Sequence, residues 1–207
     1  MPETKKFLHV GCGENYKDRT TPAFASEDWQ EVRLDIDKSV NPDIISSALD
    51  LGVIDSESFD AIYSSHNIEH VYAHEVSIML GEFLRVLNND GFFVVTCPNL
   101  VPVARLIVED KLTEPAYISP VGPISPLDIL HGHGASIEKG NEFMAHKTGF
   151  SPKSLQAALL EAGFKGVGMT ARDAQNCMDI WAVATKGIAT EDRIMEIARQ
   201  HLPMTEQ

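Results

Sequence analysis

Leu8-His9-Val10-Gly11-Cys12-Gly13, followed roughly twenty residues later by Arg33-Leu34-Asp35-Ile36-Asp37, reads as an apolar strand that breaks on two glycines and a second strand that ends in acid. Glycine lacks a Cβ, so the backbone can turn sharply there and come close to a ligand. A carboxylate at the tip of the neighbouring strand can accept hydrogen bonds from both hydroxyls of a ribose. The two stretches together predict a parallel α/β unit that holds the adenosine part of a cofactor at its strand ends.

Spacing then bears on which cofactor. A dinucleotide site places a third glycine three positions after Gly13, so that a helix N-terminus can approach a pyrophosphate. That position is Tyr16, and the following Asp18-Arg19-Thr20-Thr21-Pro22 is a poor helix opening, with proline where a continuous helix would be interrupted. No seat for phosphate is evident. A nicotinamide oxidoreductase is therefore disfavoured, and a ligand with ribose and adenine but no phosphate, S-adenosylmethionine, fits better.

Working outward, the chain gives Pro42-Asp43-Ile44-Ile45 through Ala48-Leu49-Asp50-Leu51. Ser58-Phe59-Asp60-Ala61-Ile62-Tyr63-Ser64-Ser65-His66 comes next, and then Leu84-Arg85-Val86-Leu87 leading to Gly91-Phe92-Phe93-Val94-Val95-Thr96-Cys97-Pro98. The series resembles the class I S-adenosylmethionine-dependent methyltransferases. It is most like a compact branch with a GCG turn, an FD-containing fourth strand, a histidine-glutamate-histidine segment and an RVL-x-x-x-G-F fifth strand. The resemblance covers the first half of the chain in detail and the remainder in outline. It implies an α/β, Rossmann-like fold: a mostly parallel seven-stranded sheet with an antiparallel closing strand and helices on both faces.

Periodicity supplies the elements. Phe7 to Val10, Val32 to Leu34, Ile44 to Ala48, Ala61 to Tyr63 and Phe92 to Thr96 are short apolar runs, as strands buried on both faces should be. Val76, Met79, Leu80, Phe83, Leu84 and Leu87 recur at helical spacing. Ser151 and Pro152 open a helix carrying Leu155, Ala158, Leu159 and Ala162, with Gly163 just past its end. Lys165 to Thr170 and Ile180 to Thr185 read as a closing strand pair, and Glu191 to His201 as a last helix. Asp37 to Asp43 is too short for a helical crossover, which normally takes about a dozen residues. Either that helix is missing or the third strand is misplaced.

The resemblance also implies roles. Gly11, Cys12 and Gly13 would form the turn beneath the methionine part, Asp35 would bond the ribose and Ile36 would lie against the adenine. Asp50 would accept from the adenine amino group and Leu51 would offer its backbone amide, although Asp50 in a turn can equally be a cap. Ser65 would flank the cofactor at the end of the fourth strand, where open parallel sheets place their ligands. His66 is the candidate base, since histidine titrates near neutrality, with Glu69 beside it as the second candidate catalytic group. The bland alternative is that His66 packs on the cofactor or caps the next turn, with Glu69 and His70 serving that turn's start.

One domain over residues 1–207 is expected, with residues 101–149 as an insertion covering the substrate site, rich in proline and opened by a helix around Val103 to Leu112. Its His131, His133 and His146 are candidate substrate contacts. Their spacing matches no specific metal site, and no metal is expected. Cys12, Cys97 and Cys177 are scattered and describe neither a disulfide framework nor a zinc set. A net charge of −13, with 17 basic residues against 30 acidic ones and no basic run, argues against nucleic acid. No apolar run reaches membrane-spanning length, so a cytoplasmic enzyme is expected, with no membrane partner. The partner expected is a small-molecule methyl acceptor, methylated on oxygen or nitrogen. A sugar or secondary metabolite is suggested by resemblance alone. A homodimer through the insertion or the last helix stays open, as does a non-catalytic regulatory protein that binds the cofactor without transfer.

Overall fold

Phe7 and Leu8 are neighbours in sequence and both have no exposed surface, which requires a strand covered on both faces. In the computed structural model, which describes residues 4–120, 122–174 and 177–203, this strand is β1 (Lys5–Val10). It is followed by β2 (Trp29–Asp35), β3 (Ile44–Ile45), β4 (Phe59–Ser65), α1 (Val76–Val86) and β5 (Leu87–Pro98). Then come α2 (Leu100–Val108), the hairpin β6 (Tyr117–Ser119) and β7 (Gly122–Ile124), α3 (Pro126–His131) and α4 (Gly134–Glu138). The chain closes with α5 (Pro152–Ala162), β8 (Gly166–Ala174), β9 (Cys177–Thr185) and α6 (Glu191–His201).

The main sheet has seven strands in the order β3-β2-β1-β4-β5-β9-β8. β1 to β5 pair in parallel, and β9 runs antiparallel to both β5 and β8. Alternation sorts the apolar side chains into two layers. Leu8, Val10, Leu34, Ile62, Phe93 and Val95 pack against α1 and α5 through Leu80, Phe83, Leu155 and Leu159. Phe7, Ala61, Tyr63, Phe92 and Val94 face the other way, where Phe24, Trp29 and Ile197 of α6 cover them.

Neither β1–β2 nor β2–β3 is joined by an α-helix. Single 3-10 turns, Lys17–Arg19 and Lys38–Val40, take their places. β3 is nevertheless where expected, pairing Leu34 with Ile44 and Asp35 with Ile45, but it stops at Ile45 and not at Ala48. β8 runs on to Ala174 and β5 starts at Leu87, through the polar Asn88-Asn89-Asp90. α2 starts at Leu100, earlier than expected, because the Asn99 side chain accepts from the Val101 amide at 3.1 Å. Pro102 is tolerated there, since the first turn needs no N–H from it. α2 ends at Val108, before the expected Leu112, and Asp110 turns the chain with φ +60°. Residues 101–149 carry a small core of their own, Val103, Ile124 and Ile129.

Candidate active site

The carboxyl ends of β1, β2 and β4 open into a cleft of about 370 Å³. Gly11 and Gly13 form its floor with φ of +67° and +51°, values that suit glycine. A Cβ on Gly11 would come within 2.7 Å of Asn67, whereas one on Gly13 would meet nothing within 4 Å and would project into open space. Asp35 closes the second strand: its Oδ2 accepts from the Gly13 amide at 2.8 Å and its Oδ1 from the Asp37 amide at 2.9 Å. A carboxylate oxygen has two lone pairs, so both keep capacity for ribose hydroxyls. Ile36, half exposed on the wall, offers an apolar surface to a heterocycle.

Arg33 holds this cradle together, a role its sequence position does not advertise. Its guanidinium is buried on the strand's inner side. It donates to the carbonyls of Gly13 (2.6 Å), Asn15 (3.1 Å), Val40 (3.2 Å) and Asn41 (2.9 Å) and lies over the Tyr16 ring. One side chain thereby ties the glycine turn to the turn after β2, where crossover helices would otherwise hold them.

At the end of β4 the backbone of His66 takes φ +49°, a left-handed conformation uncommon outside glycine, and its N–H donates to Thr96 O at 3.0 Å. The ring is half exposed and lines the cleft, while its Nδ1 stands 3.3 Å from Oε1 of Glu69, which is buried. Partial desolvation favours the neutral ring, but the Glu69 carboxylate outweighs it and holds the His66 pKa above the usual histidine value. For Glu69, burial would raise the pKa, and the neighbouring His66 and His70 more than offset it, leaving the carboxyl ionised below its ordinary range. His70 lines the same cleft, and its ring meets that of His146 at 4.9 Å between centroids. Burial lowers the His146 pKa.

The far wall comes from the turn after β4 and from the 101–149 segment: Tyr72, Asn141, Phe143, Met144 and Lys147. Lys147 Nζ sits 5.1 Å from the Tyr72 ring centre. Tyr72 and Phe143 keep more than half of their surface exposed. Ser46, Ser47, Ala48 and Leu49 complete the side next to Ile36, which is where the chain leaves β3.

Of the residues singled out in the sequence, Gly11, Gly13, Asp35, Ile36 and His66 meet at this cleft. The thiol of Cys12 points into the protein, and burial raises its pKa to about 11. Ser65 sits below the rim, sharing a hydrogen bond with Thr96 Oγ1 at 2.9 Å. The expected adenine contacts of Asp50 and Leu51 are corrected. Asp50 is exposed and caps the Gly52 amide at 3.0 Å, and the Leu51 amide is committed to Glu82 Oε2 at 2.8 Å. His131 and His133 are also off the cleft: His131 is exposed, and His133 Nδ1 pairs with Ser136 Oγ at 2.8 Å. His146 comes to the back of it, against Glu69 and His70.

A sequence model of the family described as Methyltransferase domain matches residues 8–95, the stretch from β1 to β5 that builds the cradle. No curated protein matches the chain. Among solved structures the fold is similar to an S-adenosylmethionine-dependent methyltransferase from Methanosarcina mazei, with a TM-score of 0.59 at 16% identity, covering 91% of this chain and 95% of that one. It is also similar to a 1,6-didemethyltoxoflavin-N1-methyltransferase from Burkholderia thailandensis, solved with 1,6-didemethyltoxoflavin and S-adenosylhomocysteine (TM-score 0.56, 12% identity, 89% and 72% covered). A possible exported protein from Bordetella parapertussis matches with a TM-score of 0.55 at 17% identity over 89% of this chain, which spans only 62% of that protein's length. The glycine turn and the Asp35 tip lie within the residues that the Methyltransferase domain model matches, and the whole fold is similar to that of S-adenosylmethionine-dependent methyltransferases.

Proposed function

We propose that the protein moves the methyl group of S-adenosylmethionine to an oxygen or nitrogen of a small-molecule acceptor, with His66 as the base. The observation that carries this reading is the half-exposed His66 ring, which lines the same cleft as Gly11, Gly13 and Asp35 and is backed by a buried carboxylate 3.3 Å away. When bound, the cofactor supplies an electrophilic methyl. Gly13 leaves room for it, Gly11 lets Asn67 close in beside the turn, and Asp35 would hold its ribose, so the chain's main contribution is alignment. With Glu69 facing Nδ1, the proton sits on that nitrogen and Nε2 is left to accept one from the acceptor. Tyr72, Phe143 and Met144 offer the acceptor an apolar wall and Lys147 a positive charge.

A small acceptor is supported by the modest volume of the cleft and by the fold's likeness to a methyltransferase solved with a small heterocycle. The net charge of −13 supports an acceptor other than nucleic acid. No helix among the described residues is long and apolar enough to cross a membrane. Cys12 and Cys97, buried as thiols, support a cytoplasmic setting.

The test is transfer of isotopically labelled methyl from S-adenosylmethionine to a panel of small hydroxy, carboxy and amino compounds. His66→Ala should cut turnover about 100-fold or more while calorimetric affinity for S-adenosylhomocysteine stays within about 3-fold. Unchanged turnover would remove His66 from the chemistry. Tight cofactor binding with no transfer to any compound would favour a protein that only binds the cofactor.

A further inference from the structure

Behind the cleft wall, one donor atom from each of Glu69, His70 and His146 lies within 4.8 Å of the others. Both imidazoles are already oriented. His70 Nδ1 meets the Ala145 carbonyl at 3.1 Å and His146 Nδ1 the Ile129 carbonyl at 2.8 Å. A carbonyl can only accept, so Nδ1 carries the proton in each ring and Nε2 keeps its lone pair, which is how a metal-bound histidine is held from behind. Glu69 is 1% exposed, and neither of its oxygens accepts a hydrogen bond from the described residues; the His66 ring stands 3.3 Å away. A buried carboxylate so poorly served by donors calls for a cation. The main chain fixes the approach, since the amides of Lys147 and Thr148 donate to the Glu69 carbonyl at 2.8 and 3.2 Å.

We propose that Glu69, His70 and His146 bind one divalent transition-metal ion. Two imidazoles with one carboxylate suit zinc, ferrous or manganous ions, whereas calcium and magnesium want oxygen donors throughout. Ligand atoms around a tetrahedral zinc lie about 3.4 Å apart, so the three draw together slightly on binding. Three protein ligands leave a coordination position for water or for an oxygen of a bound molecule, and His70 places that position beside the cleft. Because Ala145 and His146 belong to the 101–149 segment, the ion would also tether that segment to the turn after β4. The site goes beyond the methyl-transfer reading but shares Glu69 with it, and the two are told apart because this test reads metal and not turnover.

Untagged protein, stripped with a chelator, is titrated calorimetrically with Zn²⁺, and in parallel with Co²⁺ followed by its visible absorption. The expected result is one Zn²⁺ per chain and Co²⁺ bands that Zn²⁺ abolishes. His146→Ala and Glu69→Gln should each weaken binding by about 100-fold, while His131→Ala and His133→Ala should leave it unchanged. If His146→Ala does not fold, as judged by its melting curve, His146→Gln makes the same comparison. Failure of the wild-type protein to bind either ion stoichiometrically overturns the site. So does binding that survives both His146→Ala and Glu69→Gln.

Discussion

From β1 to the start of β4 the chain connects its strands by turns, while from β4 onward α1 and α5 lie between strands and α6 packs on the sheet after the last one. On the helical side, stability comes from burial: Phe83 of α1 sits against Phe93 of β5 with ring centres 5.1 Å apart, and Leu155 and Leu159 of α5 are fully enclosed. On the turn side Phe24 still packs on Phe7 and Trp29, but the cradle end is held by charged side chains that act as staples. Arg33 gathers four carbonyls, while Glu82 and Arg85 reach from α1 to the Leu51 amide and to the Leu51 and Ile54 carbonyls. The lesson is that the ligand cradle rests on directional bonds, which fail abruptly, and the scaffold on packing, which fails by degrees.

Arg33→Met tests the contrast most severely. Methionine can fill the stem's volume but cannot donate, so the carbonyls lose their partner. The expected losses are about 3 kcal/mol of stability and about 100-fold in S-adenosylhomocysteine affinity, read by urea denaturation and calorimetry. Unchanged affinity would show that the cradle does not depend on the staple. Phe83→Ala is the mirror experiment on the helical side. It should cost about 3–4 kcal/mol in the same denaturation assay and leave the affinity within about 3-fold, and a matching loss of affinity would erase the distinction between the two sides.

The smallest effect expected is at neutral pH, where His201 contributes no slope. This residue of α6 is buried against Phe24 and Phe92, with Nδ1 2.7 Å from Thr21 Oγ1, and burial pushes its pKa down to about 4. An unfolded histidine titrates near about 6.5, so between that pH and about 4 unfolding takes up a proton. The His201 contribution should therefore be constant above about pH 6.5 and fall as the pH drops across that window, by up to about 3 kcal/mol. Melting curves of the wild type and His201→Gln from pH 8 to pH 4 check this. The two should diverge as the pH falls, and parallel profiles would show that His201 is not buried neutral.

Much of the helical side could be read from the sequence because its signals are local. Ser151, Pro152 and Gly163 bracket α5 at its observed ends, and Val76 to Val86 repeats at helical period. The glycine turn and the Asp35 tip were equally legible, since a strand, a turn and an acid are contiguous features. The staples were not. Arg33 looks like any strand residue with a charged tip, and only the closed fold brings the carbonyls of Gly13, Asn15, Val40 and Asn41 around it. Leu51 misled for the same reason, its amide being claimed by Glu82, 31 residues away. His146 stands out by its type, but its meeting with Glu69 and His70 is a tertiary fact. His131 and His133 share its neighbourhood in sequence and not in space.

The brevity of β3 has a consequence for self-association. A sheet edge is a row of unpaired backbone donors and acceptors that a foreign strand can extend. One edge of this sheet, beside the cofactor cradle, is a strand of two residues, too short to template such pairing. The opposite edge, β8, offers nine. Strand addition to the main sheet is thereby steered to the side away from the cradle, so that oligomers or aggregates grown through that sheet would leave the glycine turn and Asp35 open to ligand.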